Sequence, residues 1–254
     1  MAGVPFVSSR DLDISVLPDP GPCAHTLMVS GGRRPDPKWL DDFARRNSPV
    51  VWAVDSGAGS CRAGGVVPSV VIGDMDSASG EDREWALASG AEEILFSSDK
   101  DATDFQLALG LWGEKKPLGS RLLLVSGCFG GRFDHLQSAV NTFALDARWT
   151  GPGETPRRCM IDDLEGLFFL CSKETVNIKF RRPPLAVSLL PFTDECGGVR
   201  ISGVRWPLAG ASLSRGQPWA VSNELEAGRR SGGVVSVSCG EGVLAVYWRL
   251  GLEV

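Results

Sequence analysis

The sequence predicts an α/β fold joined to a separate all-β half, and three features of its 254 residues lead there. Up to about residue 150, short apolar runs alternate with segments of helical period, the pattern of a mostly parallel, Rossmann-like sheet. After a Gly- and Pro-rich run, Thr150 to Arg158, amphipathic helices stop and short apolar runs between turn residues take over, which reads as a sandwich or barrel. The polar clusters of the first half also follow directly on apolar runs, where open α/β sheets bind ligands. The expected organisation is an irregular N-terminal arm over 1–25, an α/β domain over 26–154 and a β-sandwich domain over 155–254.

The first 25 residues hold four prolines and show no clear period, hence the arm. Thr26 to Ser30 (TLMVS) reads as the first strand, running into Gly31-Gly32-Arg33-Arg34-Pro35. That turn is either an ordinary loop or a place where backbone N–H groups approach a phosphate. Asp36 to Arg46 is helical, with Trp39, Leu40 and Phe43 on one face. Val50 to Val54 is the second strand, followed by a small-residue turn, Asp55-Ser56-Gly57-Ala58. Val70 to Ile72 is the third strand, and Ser79 to Ala88 a helix capped by Ser77 or Ser79. Glu93 to Phe96 is the next strand. Phe105, Ala108, Leu109 and Trp112 recur as one face of a helix, which Thr103 and Gln106 cap as a T-x-x-Q box. Arg121 to Ser126 is a buried strand, and Leu136, Ala139, Val140 and Phe143 mark one more helix. In the second half, strands are expected near 167–171, 175–180, 185–190, 199–201, 233–239 and 243–248.

Composition excludes several classes. Hydrophobic residues make up 43% and charged residues 22%, as in ordinary globular proteins. The net charge of −5 argues against a nucleic-acid partner, which favours a basic face. The chain has no apolar run long enough to span a bilayer and no basic-then-apolar leader at its start, so neither a membrane association nor a signal peptide is expected. Seven scattered cysteines without a C-x-x-C read as reduced thiols of a cytoplasmic protein. With only His25 and His135, zinc is not expected, and His135 reads as a structural histidine.

The chemistry gathers between Val70 and Asp104. The run VVIGDMDS puts Asp74 and Asp76 just past a strand, two residues apart and so on one side if the strand continues. Paired carboxylates repel unless a cation lies between them, and Mg²⁺ takes one or two carboxylates together with substrate phosphates. A lone D-x-D is more often a turn. Here a second acidic cluster follows, Lys100-Asp101-Ala102-Thr103-Asp104. Thr103 and Asp104 suit a helix start in any case, and a helix start also attracts anions. Lys100 is either a phosphate contact or a solvated lysine. Further on, Gly127-Cys-Phe-Gly-Gly-Arg-Phe-Asp-His135 is neither G-x-G-x-x-G nor a Walker loop. Gly131 still lets the backbone approach a phosphate, Arg132 can grip one bidentately, and Asp134 suits a helix cap. In the second half, Trp206, Trp219, Ser222 and Asn223 on loops suit either a flat heterocycle or ordinary packing and turns.

Four blocks in fixed order, Asp55-Ser56-Gly57-Ala58, Gly73-Asp74-Met75-Asp76-Ser77, Lys100 to Asp104 and Gly130 to His135, resemble the thiamine pyrophosphokinase family. Trp206-Pro207-Leu208 and Ser222-Asn223 resemble that family's C-terminal part, so the likeness runs from about Ser30 to Trp248. The resemblance implies transfer of pyrophosphate from ATP to thiamine, with Mg²⁺ as cofactor, in a homodimer with active sites at the subunit interface. By position it implies that Asp74, Asp76 and Asp104 hold the Mg²⁺-nucleotide centre, with Asp55 and Ser77 beside it. Lys100, Thr103, Gln106, Gly131, Arg132 and Asp134 would face phosphates or neighbouring polar groups, and either Asp101 or Asp104 would take the hydroxyl proton. Ser222 and Asn223 would lie near the thiamine pyrimidine, and Trp219, bulkier than is usual for the family at that place, is a further binding candidate beside them. Two other functions use similar residues: a non-catalytic nucleotide- or thiamine-binding regulatory protein, and another Mg²⁺-dependent D-x-D transferase acting on a different acceptor.

Overall fold

The computed structural model describes residues 6–19, 21, 24–73, 79–97, 101–115, 120–146, 156–217, 219–226 and 233–251. The chain divides into two compact units, Cys23–Asp163 and Met1–Pro22 together with Leu164–Val254. The elements of the short N-terminal piece are β1 (Val7–Ser8) and β2 (Leu12–Leu17).

The α/β unit runs β3 (His25–Val29), α1 (Pro37–Asn47), β4 (Val50–Val54), α2 (Gly57–Gly64), β5 (Val70–Gly73), α3 (Gly80–Ala88), β6 (Glu92–Leu95), α4 (Asp104–Lys115), β7 (Leu122–Ser126), α5 (Phe133–Leu145), β8 (Arg157–Ile161). Its six strands lie in the order β8-β7-β3-β4-β5-β6, and every pairing is parallel. From β3 the chain first builds outward to β6, then returns to the other side of β3 for β7 and β8. This is a doubly wound sheet with its switch point between β3 and β7. The central strands are buried on both faces, as crossover helices require: all five residues of β7 and four of β3's five are buried.

Local chemistry explains the helices. Asp36 caps α1 by accepting from the Trp39 N–H at 2.8 Å, and Pro37 fills the first turn, where a missing N–H costs nothing. Trp39, Leu40 and Phe43 are its buried face, with Trp39 stacked on Phe43 at 4.8 Å between ring centroids. Of the two serines expected to cap α3, Ser79 does so, accepting from the Asp82 N–H at 3.2 Å.

The other unit is antiparallel. One sheet has the order β1-β2-β10-β14-β12-β13, with β10 (Glu174–Phe180), β14 (Val234–Cys239), β12 (Glu195–Ser202) and β13 (Leu208–Ser214). The other strands are β11 (Pro184–Pro191), β15 (Leu244–Leu250) and β9 (Glu165–Leu170), with β15 paired to both β11 and β9. Side chains alternate in and out along β2 and β14, so Leu12, Ile14, Val16, Val235 and Val237 enter the core. No disulfide joins the six cysteines among the described residues, and of these only Cys171 is not buried. No helix among the described residues is long and apolar enough to cross a membrane.

The structure departs from the sequence reading in four places. The arm expected to be irregular contains β2, paired over six residues with β10. Its alternation, LDISVL, is a strand signal that the surrounding prolines obscured. The small-residue turn after β4 opens directly into helix α2, buried over Gly57 to Cys61. Three helical glycines hide it from propensity, but a Cβ at Gly57 would lie 1.9 Å from the Val29 carbonyl oxygen, so only glycine lets α2 sit against β3. The linker-like run ends in β8, parallel to β7, whose two leading arginines leave only Cys159, Met160 and Ile161 as an apolar run. The weakly apolar LAGASLS becomes the edge strand β13.

Candidate functional site

At the carboxyl ends of β3, β4 and β7 the loops are tightly packed. The Gly32 N–H donates to the Gly127 carbonyl at 2.6 Å and the Arg33 N–H to that of Phe129 at 2.7 Å. Gly127 has φ +68°, and a Cβ there would come within 2.6 Å of the Ser30 carbonyl oxygen. These glycines, which suited phosphate contact in the sequence, are used here for backbone-to-backbone packing that bridges the β3–β7 switch point. Gly131 differs: its φ is +66°, and no heavy atom lies within 4 Å of where a Cβ would stand.

The carboxylates are displayed along the rest of that edge. Asp55 directly follows β4 in the left-handed region, φ +58°, which aspartate tolerates. Its N–H donates to Ile72 on the neighbouring strand at 2.7 Å, and its Oδ1 is buried. Asp104 is the first residue of α4, and Asp101 is exposed three residues before it. Asp74, Asp76, Ser77 and Lys100 lie outside the described residues. In sequence, Asp74 is the residue after Gly73, the last of β5.

Thr103 and Gln106 form the expected capping box. The Gln106 N–H donates to Thr103 Oγ1 at 3.3 Å and the Thr103 N–H to Gln106 Oε1 at 3.0 Å. Gln106 Nε2 also donates to Thr142 of α5 at 3.3 Å, so this side chain ties α4 to α5. Arg132, not Asp134, stands at the N-cap position of α5. Asp134 in the first turn instead accepts from Arg132 Nε at 3.1 Å and Nη2 at 2.5 Å. This hydrogen-bonded pairing holds the Asp134 carboxyl below its ordinary range and raises the guanidinium. His135 is exposed.

Two further residues at this edge have no counterpart in the motifs. Asp162, just past β8, is fully buried on its side chain and holds Arg33 at 2.7 Å, while Asp163 accepts from the Asp36 N–H at 3.2 Å. The available signal was a second Asp pair ending an apolar run, Cys-Met-Ile-Asp-Asp. His25, on β3 at the opposite end, is pushed below its ordinary range by burial.

The β unit contributes a different kind of site. A cavity of about 320 Å³ is lined mainly by Val187 and Leu189 of β11, Ile201 of β12, Leu208 of β13 and the indoles of Trp206 and Trp219. Both tryptophans are more than half exposed, 52% and 56%, whereas the lining Val187, Leu189 and Ile201 are buried. Asn223 also lines it. Ser222, with φ +58°, is fixed by its N–H donating to Ser188 Oγ at 3.0 Å. The structure therefore brings Trp219 and Asn223 to one pocket and places Ser222 next to it in the chain.

A doubly wound sheet with carboxylates along its carboxyl edge, together with an antiparallel unit holding an aromatic pocket, defines a two-part ligand-binding protein of the α/β class. Known proteins narrow that class. The thiamin pyrophosphokinase catalytic domain model matches residues 44–148, and that family's vitamin B1 binding domain model matches 175–244. The chain is 24% identical to thiamine pyrophosphokinase of Bacillus subtilis over 201 residues, 78% of this chain and 88% of that protein. It is 30% identical to thiamine pyrophosphokinase 1 of Oryza sativa over 165 residues, 63% of this chain and 60% of the rice protein. The fold is also that of thiamine pyrophosphokinase from Bacillus subtilis, with TM-score 0.72 and 21% identity over 90% of this chain and all of the other. The Candida albicans enzyme gives TM-score 0.72 at 14% identity, over 89% of each chain. The chain belongs to the thiamine pyrophosphokinase family, a family of transferases.

Proposed function

We propose that this protein transfers the pyrophosphoryl group of ATP to the hydroxyl of thiamine, giving thiamine diphosphate and AMP. The observation that supports this reading most strongly is the double match: one family's catalytic and vitamin-binding domains fall, in order, on the α/β and β units. The aromatic pocket lies in the unit whose match is the vitamin-binding domain, and two indoles among aliphatic side chains suit a flat heterocycle.

The residues suit Mg²⁺ as cofactor. Asp55, Asp104, Asp74 and Asp76 offer hard carboxylate oxygens, the donors Mg²⁺ takes, and since no group of three such donors gathers among the described residues, the set needs Asp74 and Asp76 to be complete. In this reading Asp74, Asp76 and Asp104 hold the ion, which when bound would neutralise phosphate charge. The protein's own part in phosphoryl-type transfer is positioning and charge stabilisation. Lys100 and Arg132 face the phosphates, with Arg132 aimed by Asp134. Gly131 leaves open space beside the backbone for a phosphate. Asp101 or Asp104 takes the proton from the thiamine hydroxyl as it attacks the β-phosphorus, and AMP leaves. Thr103 and Gln106 fix the start of α4, which carries Asp104.

The protein acts in this reading as a cytoplasmic homodimer with active sites at the interface. The family resemblance supports that, and the absence of a disulfide among the six described cysteines suits a reducing compartment. The test of the reaction is AMP release from ATP and Mg²⁺ that depends on thiamine, combined with mass by light scattering for the dimer. AMP formation indifferent to thiamine, or a monomer with full activity, would sink the corresponding half.

A further inference from the structure

The family resemblance puts Asn223 near the thiamine pyrimidine, but its hydrogen bonds point elsewhere. A side-chain amide has an acceptor oxygen with two lone pairs and two N–H donors. Here Oδ1 accepts from the Trp206 N–H at 3.1 Å and from the Glu224 N–H at 3.0 Å, while Nδ2 donates to the Trp206 carbonyl at 2.7 Å. Both lone pairs and one of the two N–H groups are therefore committed to the chain. The orientation of the amide follows from its partners, because flipping it would set the NH₂ against two N–H donors and the oxygen against a carbonyl.

The base of this clamp is rigid. Asn223 exchanges both backbone hydrogen bonds with Val187 of β11, each 2.8 Å, and Val187 is buried and lines the pocket. A second tie acts on the indole itself. Arg205 lies over the Trp206 ring at 4.6 Å from its centroid and reaches Glu224 at 3.2 Å, and its N–H donates to the Glu224 carbonyl at 2.8 Å. Trp206 is half exposed, and aliphatic contacts alone leave such a ring free to change rotamer. Preorganising it removes an ordering cost from ligand binding.

We propose that Asn223 is a positioning residue, which locks the Trp206 peptide so that the indole forms a fixed wall of the pocket. Arg205 covers one face of that indole and leaves the other to a flat heterocyclic ligand. The inference rests on the proposed reading for the identity of that ligand, not for the clamp.

The experiment uses the full-length protein with Asn223→Leu, close in shape and without hydrogen bonds, and Asn223→Asp, which keeps the acceptor and removes the donor. Hydrogen exchange at the Trp206 and Glu224 amides reads the clamp directly. Exchange is expected to speed up at least tenfold in Asn223→Leu and less in Asn223→Asp; unchanged exchange in both overturns the proposal. Ligand binding is then measured by calorimetry with two probes, thiamine and the analogue whose exocyclic pyrimidine amino group is replaced by oxygen. A positioning role weakens both by the same factor, at least tenfold in Asn223→Leu, and raises the KM for thiamine by a similar factor while kcat falls less than threefold. A factor that differs more than threefold between the probes means that Asn223 touches the pyrimidine, and overturns the proposal. If the unaltered protein binds neither probe, the thiamine reading fails, and the exchange data still decide the clamp.

Discussion

The two units present their candidate sites in opposite ways. In the α/β unit the candidate groups follow strand ends or open the next helix: Asp55 comes directly after β4, Asp74 directly after β5, Asp104 begins α4 and Arg132 stands at the N-cap of α5. A parallel sheet brings all these ends to one edge, so order along the chain translates directly into position in space. In the β unit the pocket draws on β11, β12, β13 and two loops, with lining residues from Val187 to Asn223. Antiparallel register and bulges decide which of those side chains meet, and β12 shifts register twice against β13. Polar, metal-suited groups thus lie on one unit and aromatic, heterocycle-suited groups on the other. Damage to one should disturb phosphate transfer, and damage to the other acceptor recognition.

The strongest break in that division is expected at Asp74. Asp74→Asn should lower turnover at least about a hundredfold at saturating thiamine and Mg²⁺, the scale seen when an electrostatic partner of a transition state is lost. Steady-state kinetics check this, and full activity would remove Asp74 from the centre. Gly57→Val attacks the scaffold instead. Its side chain would meet the Val29 carbonyl at the head of α2, and overpacking of this kind costs about 1–3 kcal/mol or more. Denaturant unfolding should show a lower midpoint, with the pocket of the β unit still able to bind thiamine once the protein is folded. Trp219→Ala should sharpen the contrast from the other side. Losing one aromatic wall should cost about 1.4 kcal/mol, a tenfold rise in the KM for thiamine, with the KM for ATP little changed. The smallest effect is expected at Thr103→Ala, which removes a helix cap worth about 1 kcal/mol. A melting point lowered without a matching loss in kcat would mark Thr103 as a cap, whereas a large kcat loss in a stable protein would mark it as a phosphate contact.

Much of the α/β unit could be read from its sequence because its signals are local. Apolar runs, the Asp36 and Ser79 caps and the Thr103–Gln106 box each act over a few residues, and each helix or strand built from them lies within a few residues of the expected place. Helix α2 could not be read, since its glycines argue against a helix, and the one at its head, Gly57, is explained by its approach to Val29. Strand β2 was obscured for a similar reason: it becomes a strand by pairing with β10, more than 150 residues further along the chain. For the site, the motifs marked carboxylates and glycines but not their division of labour. Gly32 and Gly127 join loops, Gln106 joins helices, and Asn223 holds Trp206, all through partners distant in sequence. The pairing of Arg33 with the buried Asp162 is invisible for the same reason.

The most direct test of the two-site division is product analysis of ATP turnover with Mg²⁺, with and without thiamine, in the unaltered protein and in Asp74→Asn and Trp219→Ala. Pyrophosphoryl transfer with this division predicts AMP and thiamine diphosphate in equal amounts, no ADP, no AMP without thiamine, near-complete loss in Asp74→Asn, and recovery of Trp219→Ala at high thiamine. ADP as the product, or AMP formed at the same rate without thiamine, would contradict it.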